Sequence, residues 1–292
     1  MQIQPCGPLR GEITVPGDKS ISHRAVMLGA LANGTTHITG FLMGEDCLST
    51  IDCFRKMGVE INITDDEVIV EGVGLHGLEA PSEALYTGNS GTTTRLLCGI
   101  LAGQPFTVTM NGDPSIQKRP MGRVMKPLRE MGASIEGKND NFCPLTLFPS
   151  ELHGIEYRLP VASAQLKSAI LLAGLYAEGQ TTVIEPAPSR DHTERMFRAL
   201  GVEIETNGST ITLDPPEDLH AVDIAVPGDI SSAAFFLVAG TIVPGSELTI
   251  KNVGVNPTRT GVLDVLRDMG ADITESNFRD EAEPMCDLTV KY

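Results

Sequence analysis

Phe54-Arg-Lys-Met-Gly-Val-Glu-Ile61 is met four times along the chain in closely related form. Its other copies are Leu128-Arg-Glu-Met-Gly-Ala-Ser-Ile135, Phe197-Arg-Ala-Leu-Gly-Val-Glu-Ile204 and Leu266-Arg-Asp-Met-Gly-Ala-Asp-Ile273. The shared glycines, Gly58, Gly132, Gly201 and Gly270, stand 74, 69 and 69 residues apart. Recurrence at a near-fixed period is the sequence signature of a repeat architecture. Each copy reads as the last turn of a helix, a glycine in the left-handed position that ends helices, and then an alternating strand. Asn62 to Glu71 and Thr206 to Asp214 continue as strand pairs with turn residues between them.

A second element precedes each copy. Ala25 to Gly34, Arg95 to Gly103, Ala169 to Gly179 and Ala233 to Gly245 are nearly all apolar and end at glycine. A helix that is apolar all round needs cover on every side. Each leads into a β-rich run: Thr35–Thr39, Pro105–Met110, Thr181–Glu185 and Glu247–Lys251. The predicted fold class is therefore α/β: βαβαββ units of about 70 residues, packed around shared buried helices.

The starts of those apolar helices carry the chemistry. They read Gly17-Asp-Lys-Ser-Ile-Ser-His-Arg24, Gly88-Asn-Ser-Gly-Thr-Thr-Thr-Arg95, Ala162-Ser-Ala-Gln-Leu-Lys-Ser168 and Gly228-Asp-Ile-Ser-Ser232. Gly, Ser, Thr and Asp cap helices, and the uncapped N–H groups and dipole of a helix start attract anions. Lys19, Arg24, Arg95, Lys118, Arg119, Lys167 and Arg190 lie in or near these segments. Together they predict a locally positive pocket for a polyanionic small molecule.

Composition narrows the classes. The 292 residues carry 22 Lys plus Arg against 38 Asp plus Glu, a net charge of −16. That argues against nucleic acid, whose backbone is bound by dense positive charge. No apolar run approaches the roughly 18 residues of a membrane span. No basic, then apolar leader opens the sequence, so the expected location is the cytoplasm. The six cysteines form no C-x-x-C pair and read as reduced thiols, mostly core filler. The histidines form no metal-ligand pattern. Neither a metal nor any other cofactor is expected.

The quoted helix starts, with Lys118-Arg-Pro-Met121 and Ser189-Arg-Asp-His-Thr-Glu-Arg195, resemble the 5-enolpyruvylshikimate-3-phosphate (EPSP) synthase family along essentially the whole chain. Ser163-Ala-Gln-x-Lys167, Arg190-x-His-x-Glu194 and Asn256-x-Thr-Arg259 are similar to its glyphosate-tolerant branch, class II. The resemblance implies enolpyruvyl transfer from phosphoenolpyruvate to shikimate 3-phosphate with release of phosphate, in the shikimate pathway, without a cofactor. It implies that Lys19 contacts both substrates as the catalytic cation. Lys19, Ser20, Arg24, Ser163, Ala164, Gln165 and Arg190 would hold shikimate 3-phosphate. Lys19, Asn89, Gly91, Arg119 and Gln165 would hold phosphoenolpyruvate. One route to herbicide tolerance in the family replaces the glycine at position 91 by alanine; glycine stands here.

The family has six units in two lobes, of the inside-out α/β barrel kind, and four are counted here. The resemblance thus predicts a complete lobe over 15–225 that binds shikimate 3-phosphate. It predicts an incomplete lobe over 1–14 plus 226–292, with a strand at Gln2–Gln4. The family's general acid and base carboxylates would fall beyond residue 292. The helix near Ala233–Thr241 is then expected to keep apolar side chains without cover. A monomer is expected, the incomplete lobe being the face through which association could occur. The alternative reading is a catalytically incomplete fragment that binds only shikimate 3-phosphate or a partner.

Other motifs carry less. Gly72-Val-Gly-Leu-His-Gly77 is a literal G-x-G-x-x-G, but Pro81 and polar residues follow where a dinucleotide helix would start. Ser115-Ile-Gln-Lys118 lacks the companions of an acylated serine. His23 and His192 read as supports of loop or core, and Arg95 as pairing with an acidic neighbour.

Overall fold

The four repeated glycines end their helices as expected, with φ of 88°, 102°, 88° and 93° at Gly58, Gly132, Gly201 and Gly270. Only glycine takes that left-handed turn without strain. The arginine of the repeat has a local task. Arg55 Nε donates to the Ile61 carbonyl at 3.1 Å, Arg129 Nε to Ile135 at 3.2 Å and Arg198 Nε to Ile204 at 3.2 Å. Each guanidinium thus closes its own helix-to-strand corner. In the fourth copy Arg267 Nη2 binds Glu275 Oε1 at 2.7 Å.

The computed structural model describes residues 7–65 and 67–292; the expected strand at Gln2–Gln4 lies outside them. The first repeat runs β1 (Arg10–Ile13), α1 (Lys19–Leu31), β2 (Asn33–Thr39), α2 (Glu45–Lys56), β3 (Glu60–Ile63) and β4 (Glu67–Val73). The second runs β5 (Leu85–Tyr86), α3 (Gly91–Ala102), β6 (Val108–Asn111), α4 (Gly122–Glu130), β7 (Ser134–Lys138) and β8 (Phe142–Phe148). The third runs β9 (Glu156–Arg158), α5 (Ala164–Gly174), β10 (Thr181–Ile184), α6 (His192–Ala199), β11 (Ile204–Asn207) and β12 (Thr210–Leu213). The fourth runs β13 (Ile224–Ala225), α7 (Ile230–Ile242), β14 (Glu247–Gly254), α8 (Gly261–Asp268), β15 (Asp272–Asp280) and β16 (Pro284–Lys291). The βαβαββ order is that read from the sequence, four times over.

Each repeat builds a four-stranded sheet with its strands ordered first, second, fourth, third. The repeats at the two ends exchange their opening strands. The first sheet is β13-β2-β4-β3 and the fourth is β1-β14-β16-β15. The opening pairs β1–β14, β5–β6 and β9–β10 are parallel, and the closing hairpins are antiparallel.

The chain divides into two compact units. One comprises residues up to Lys19, Thr39–Leu42 and Ala225–Tyr292; the other comprises Ser20–Ile38 and Met43–Ile224. In the larger unit α1, α3 and α5 are buried on almost every face. A Cβ built on Gly99 of α3 would lie 2.2 Å from the Ala169 carbonyl oxygen of α5. The two helices therefore touch backbone to backbone. In the smaller unit α7 has the same composition but buries only Ile230, Ala233, Leu237 and Gly240. Phe235 is 79% exposed and Ile242 67%, so an apolar face stands open as the sequence predicts. In the sheet below, Asp287 of β16 accepts from the Asn252 N–H (2.8 Å), Asn277 Nδ2 (2.8 Å) and Lys251 Nζ (2.7 Å). Asn252 and Asn277 are both left-handed, at φ 53°, and sit where the register of β14 and β15 shifts against β16. One carboxylate pins both bulges.

Five described cysteines are buried thiols, and burial pushes Cys53 and Cys98 up to about 12. Gly72 to Gly77 runs from a strand into a turn with no helix after it. Among the described residues no helix is long and apolar enough to cross a membrane.

Candidate functional site

In the larger unit, the starts of α1, α3 and α5 and the turn before α6 gather two groups of sequence-predicted residues. The caps form as expected: Ser90 Oγ accepts from the Thr93 N–H at 3.1 Å and Ser163 Oγ from Leu166 at 3.4 Å. The N–H groups of Ala164 and Gln165 are in the first turn of α5, where a helix has no acceptor of its own to offer them.

The first group joins α1, α5 and α6. Arg190 Nη1 donates to Ser20 Oγ at 3.0 Å. Arg24 is buried at 4% exposure. Its Nη1 holds the Ser20 carbonyl at 2.8 Å, its Nε donates to Thr193 Oγ1 at 2.8 Å and its Nη2 to Ser168 Oγ at 2.7 Å. Ser168 and Thr193 bind each other at 2.7 Å. Arg24 thus ties Ser20 to α5 and α6. Lys19, next to Ser20, opens α1 and is exposed.

The second group joins α3, α5 and the loop before α4. Arg119 Nη2 donates to Asn89 Oδ1 at 2.6 Å. Arg95 Nη1 donates to Gln165 Oε1 at 2.9 Å, and Gln165 Nε2 to Thr92 Oγ1 at 3.0 Å. A Cβ on Gly91 would meet Arg95 Nη1 at 2.7 Å and Arg119 Nη1 at 3.1 Å. Glycine here leaves room for both guanidinium tips. Burial first, then the like charges of Arg119 and Arg123, lower the Arg95 pKa. Among the described residues no carboxylate pairs with Arg95, Arg119 or Arg123. Three crowded cations without a counter-charge are what a bound anion would relieve.

Two sequence readings change, and one residue is new. Arg95 binds the amide of Gln165 rather than an acidic neighbour, because α3 and α5 bring the two side chains to one level. Lys167 is not a surface cation of the pocket. It is 1% exposed and is held between Glu185 and Glu194. Arg123 was not singled out; the available signal was its place four residues after Arg119. His23 is a core support, Nδ1 lying 2.7 Å from Thr50 Oγ1. Lys118 is exposed at the end of a single helical turn, Ile116–Lys118.

The smaller unit has its own polar group. Arg259 Nη2 binds Asp229 Oδ1 at 3.0 Å and Ser231 Oγ at 2.8 Å, and Asp18 lies 3.8 Å from Nη1. Asp229 also caps α7 through the Ser231 and Ser232 N–H groups at 3.3 and 3.1 Å. Asn256 Oδ1 accepts from Thr258 N and Oγ1 at 2.9 and 2.7 Å. The Asn256-x-Thr-Arg259 stretch is thus a turn that aims Arg259 at a helix cap.

Fold and site define a class: an α/β repeat protein whose buried helices bring their capped starts and several arginines together. Residues 3–291 match the family model of EPSP synthase (3-phosphoshikimate 1-carboxyvinyltransferase). The chain is 62% identical over 285 residues to the 3-phosphoshikimate 1-carboxyvinyltransferase of Geobacillus thermodenitrificans, covering 97% of this chain and 66% of that one. It is 58% identical to that of Bacillus cytotoxicus, covering 97% and 67%. The EPSP synthase structure from Acinetobacter baumannii superposes with a TM-score of 0.95 at 53% identity, over 98% of this chain and 66% of that one. The chain belongs to the EPSP synthase family, and it spans 66% of the length of the Geobacillus thermodenitrificans relative.

Proposed function

We propose that the chain serves the transfer of enolpyruvyl from phosphoenolpyruvate to shikimate 3-phosphate with release of phosphate, in the cytoplasm. Residues 15–225 would be the lobe that binds shikimate 3-phosphate. The observation that carries this reading is the meeting of Arg190, from the turn before α6, with Ser20 at the start of buried α1.

In this reading Ser163, the first N–H groups of α5 and Arg190 take the phosphate of shikimate 3-phosphate. A helix start offers donors and positive potential, and a guanidinium offers a planar fork. Arg24 orients Ser20 toward the shikimate moiety. Asn89, Arg119 and Gln165 take phosphoenolpyruvate over Gly91, and Lys19 serves both substrates. The shikimate hydroxyl adds to C2 of phosphoenolpyruvate as C3 gains a proton. Phosphate then leaves as C3 gives one up. The cations stabilise charge that shifts during both steps, while the proton transfers require a separate acid and base.

Calorimetric titration with shikimate 3-phosphate, followed by phosphoenolpyruvate with phosphate release recorded, tests this. Binding and release support the whole reading. Binding without release leaves the chain a substrate-binding protein. No binding overturns it.

A further inference from the structure

Lys167 lies on α5, one turn beyond Ser163. Its Nζ is 2.8 Å from Glu185 Oε2 and 2.7 Å from Glu194 Oε1. The three side chains are 1%, 4% and 2% exposed. Glu185 directly follows β10 and also accepts from Ser189 Oγ. Ser189 precedes Arg190, and Glu194 lies one helical turn after it on α6. The two carboxylates therefore grip both ends of the 185–194 segment that carries Arg190. The cation between them sits on the helix that carries Ser163, Ala164 and Gln165. Ser168 and Thr193, bound at 2.7 Å, make a second tie between the same two elements.

A buried ion cluster is a poor source of stability, because desolvation offsets the attraction, and an apolar contact of equal volume does as well or better. What charged groups add is direction, through fixed donor and acceptor positions. Burial also raises the Glu194 pKa against the pull of Lys167, with Asp191 adding to the rise, and Glu194 Oε2 has no hydrogen-bond partner among the described residues. All three charged side chains are thus held out of water, in a place where packing alone would not require a charge.

We propose that Lys167, Glu185 and Glu194 form a buried positioning cluster that sets the Arg190 segment against the start of α5, and thereby sets the site's preference for a phosphorylated ligand. The proposal rests on the assignment of Arg190 and the α5 start to the phosphate of shikimate 3-phosphate.

The test compares Lys167→Met and Glu185→Gln with the unchanged protein. Affinities for shikimate 3-phosphate and for shikimate, which lacks the phosphate, are measured by competition calorimetry, with thermal unfolding on the same samples. The expected result is a loss of about tenfold or more in the ratio of the two affinities, with shikimate affinity held within about twofold. A purely structural role would lower both affinities together or leave both alone, and either outcome overturns the proposal. Failure of both variants to fold would make the cluster a stability element and overturn it as well. If the unchanged protein binds no shikimate 3-phosphate, the functional reading fails, and this inference with it. If it does bind and the ratio is unmoved, only the inference fails.

Discussion

Replacing Gly99 by alanine tests the packing on which the site stands. The added methyl would lie 2.2 Å from the Ala169 carbonyl oxygen, 3.0 Å from its carbonyl carbon and 3.1 Å from its Cα. All three are backbone atoms in the middle of α5 and cannot swing aside. Restoring even a 3.0 Å separation from the oxygen parts α3 from α5 by about 0.8 Å. Over-packing of a dense core costs about 1–3 kcal/mol, and rigid backbone puts this case at the upper end. Alanine returns about 1 kcal/mol as the better helix former. The net loss is about 2 kcal/mol. For a unit of about 200 residues that lowers Tm by about 4–8 °C. The same movement is enough to stretch the Arg95–Gln165 hydrogen bond from 2.9 Å beyond useful length, so anion affinity should fall with stability. Calorimetric unfolding and phosphoenolpyruvate titration measure the two effects. Gly91→Ala on the same helix is the control: its methyl meets only the tips of Arg95 and Arg119, so affinity should fall about tenfold with Tm within about 2 °C. A Gly99→Ala protein as stable as its parent would refute the reasoning.

Arg119→Ala removes the partner of Asn89 and one of the three crowded cations; phosphoenolpyruvate binding should weaken by about 10–100-fold, and titration showing less than a threefold change would count against the assignment. Asp229→Ala removes the α7 cap and the Arg259 partner together; a loss of about 1–2 kcal/mol is expected in urea unfolding. Asp287 has burial pushing its pKa up, outweighed by Lys251, Asn277 and the Asn252 N–H, so it sits below its ordinary 3.8. A depressed acid lends stability above that ordinary value and loses it as pH falls through the folded value. Thermal unfolding between pH 5 and pH 2 should therefore flatten in Asp287→Asn; an unchanged slope would mean other carboxylates govern the acid transition.

How much of this was legible in the sequence differs from element to element. Gly58 and its three counterparts announced the helix-to-strand corners because only a left-handed turn explains a fixed glycine between an apolar helix and an alternating strand. Ser90, Ser163 and Asp229 announced helix starts through capping chemistry that is local in sequence. The exchange of β1 and β13 was not legible in the local pattern; only the family resemblance grouped residues 1–14, and β1 with them, with 226–292. A strand of two to four residues has too short a period to read, and its partner lies far along the chain. Lys167 was misread for a related reason. Its spacing from Ser163 fits a solvent-facing cation as well as a buried one, and only the fold of residues 185–194 brings two carboxylates to it. The partner of Arg95 was missed because Gln165 carries no charge to suggest a pairing.

The exchanged strands have a consequence for biosynthesis. Leu9, beside β1, bonds through its N–H to Ser246 Oγ, 237 residues later. A ribosome delivers β1 early, then Ser20–Ile38 and Met43–Ile224, and β14 and β16 only after them. The larger unit is in effect a two-part insert in the sequence of the smaller, interrupted only at Thr39–Leu42, and is available to fold while its host waits. Because β2 and β13 are neighbours in one sheet, the folded insert brings its outgoing strands side by side. It thereby replaces a long flexible loop by a short preformed bridge and reduces the entropy of closing the host. Vectorial synthesis would then favour one order of assembly, insert before host, and the waiting edge of β1 would be the segment most in need of protection while the chain grows.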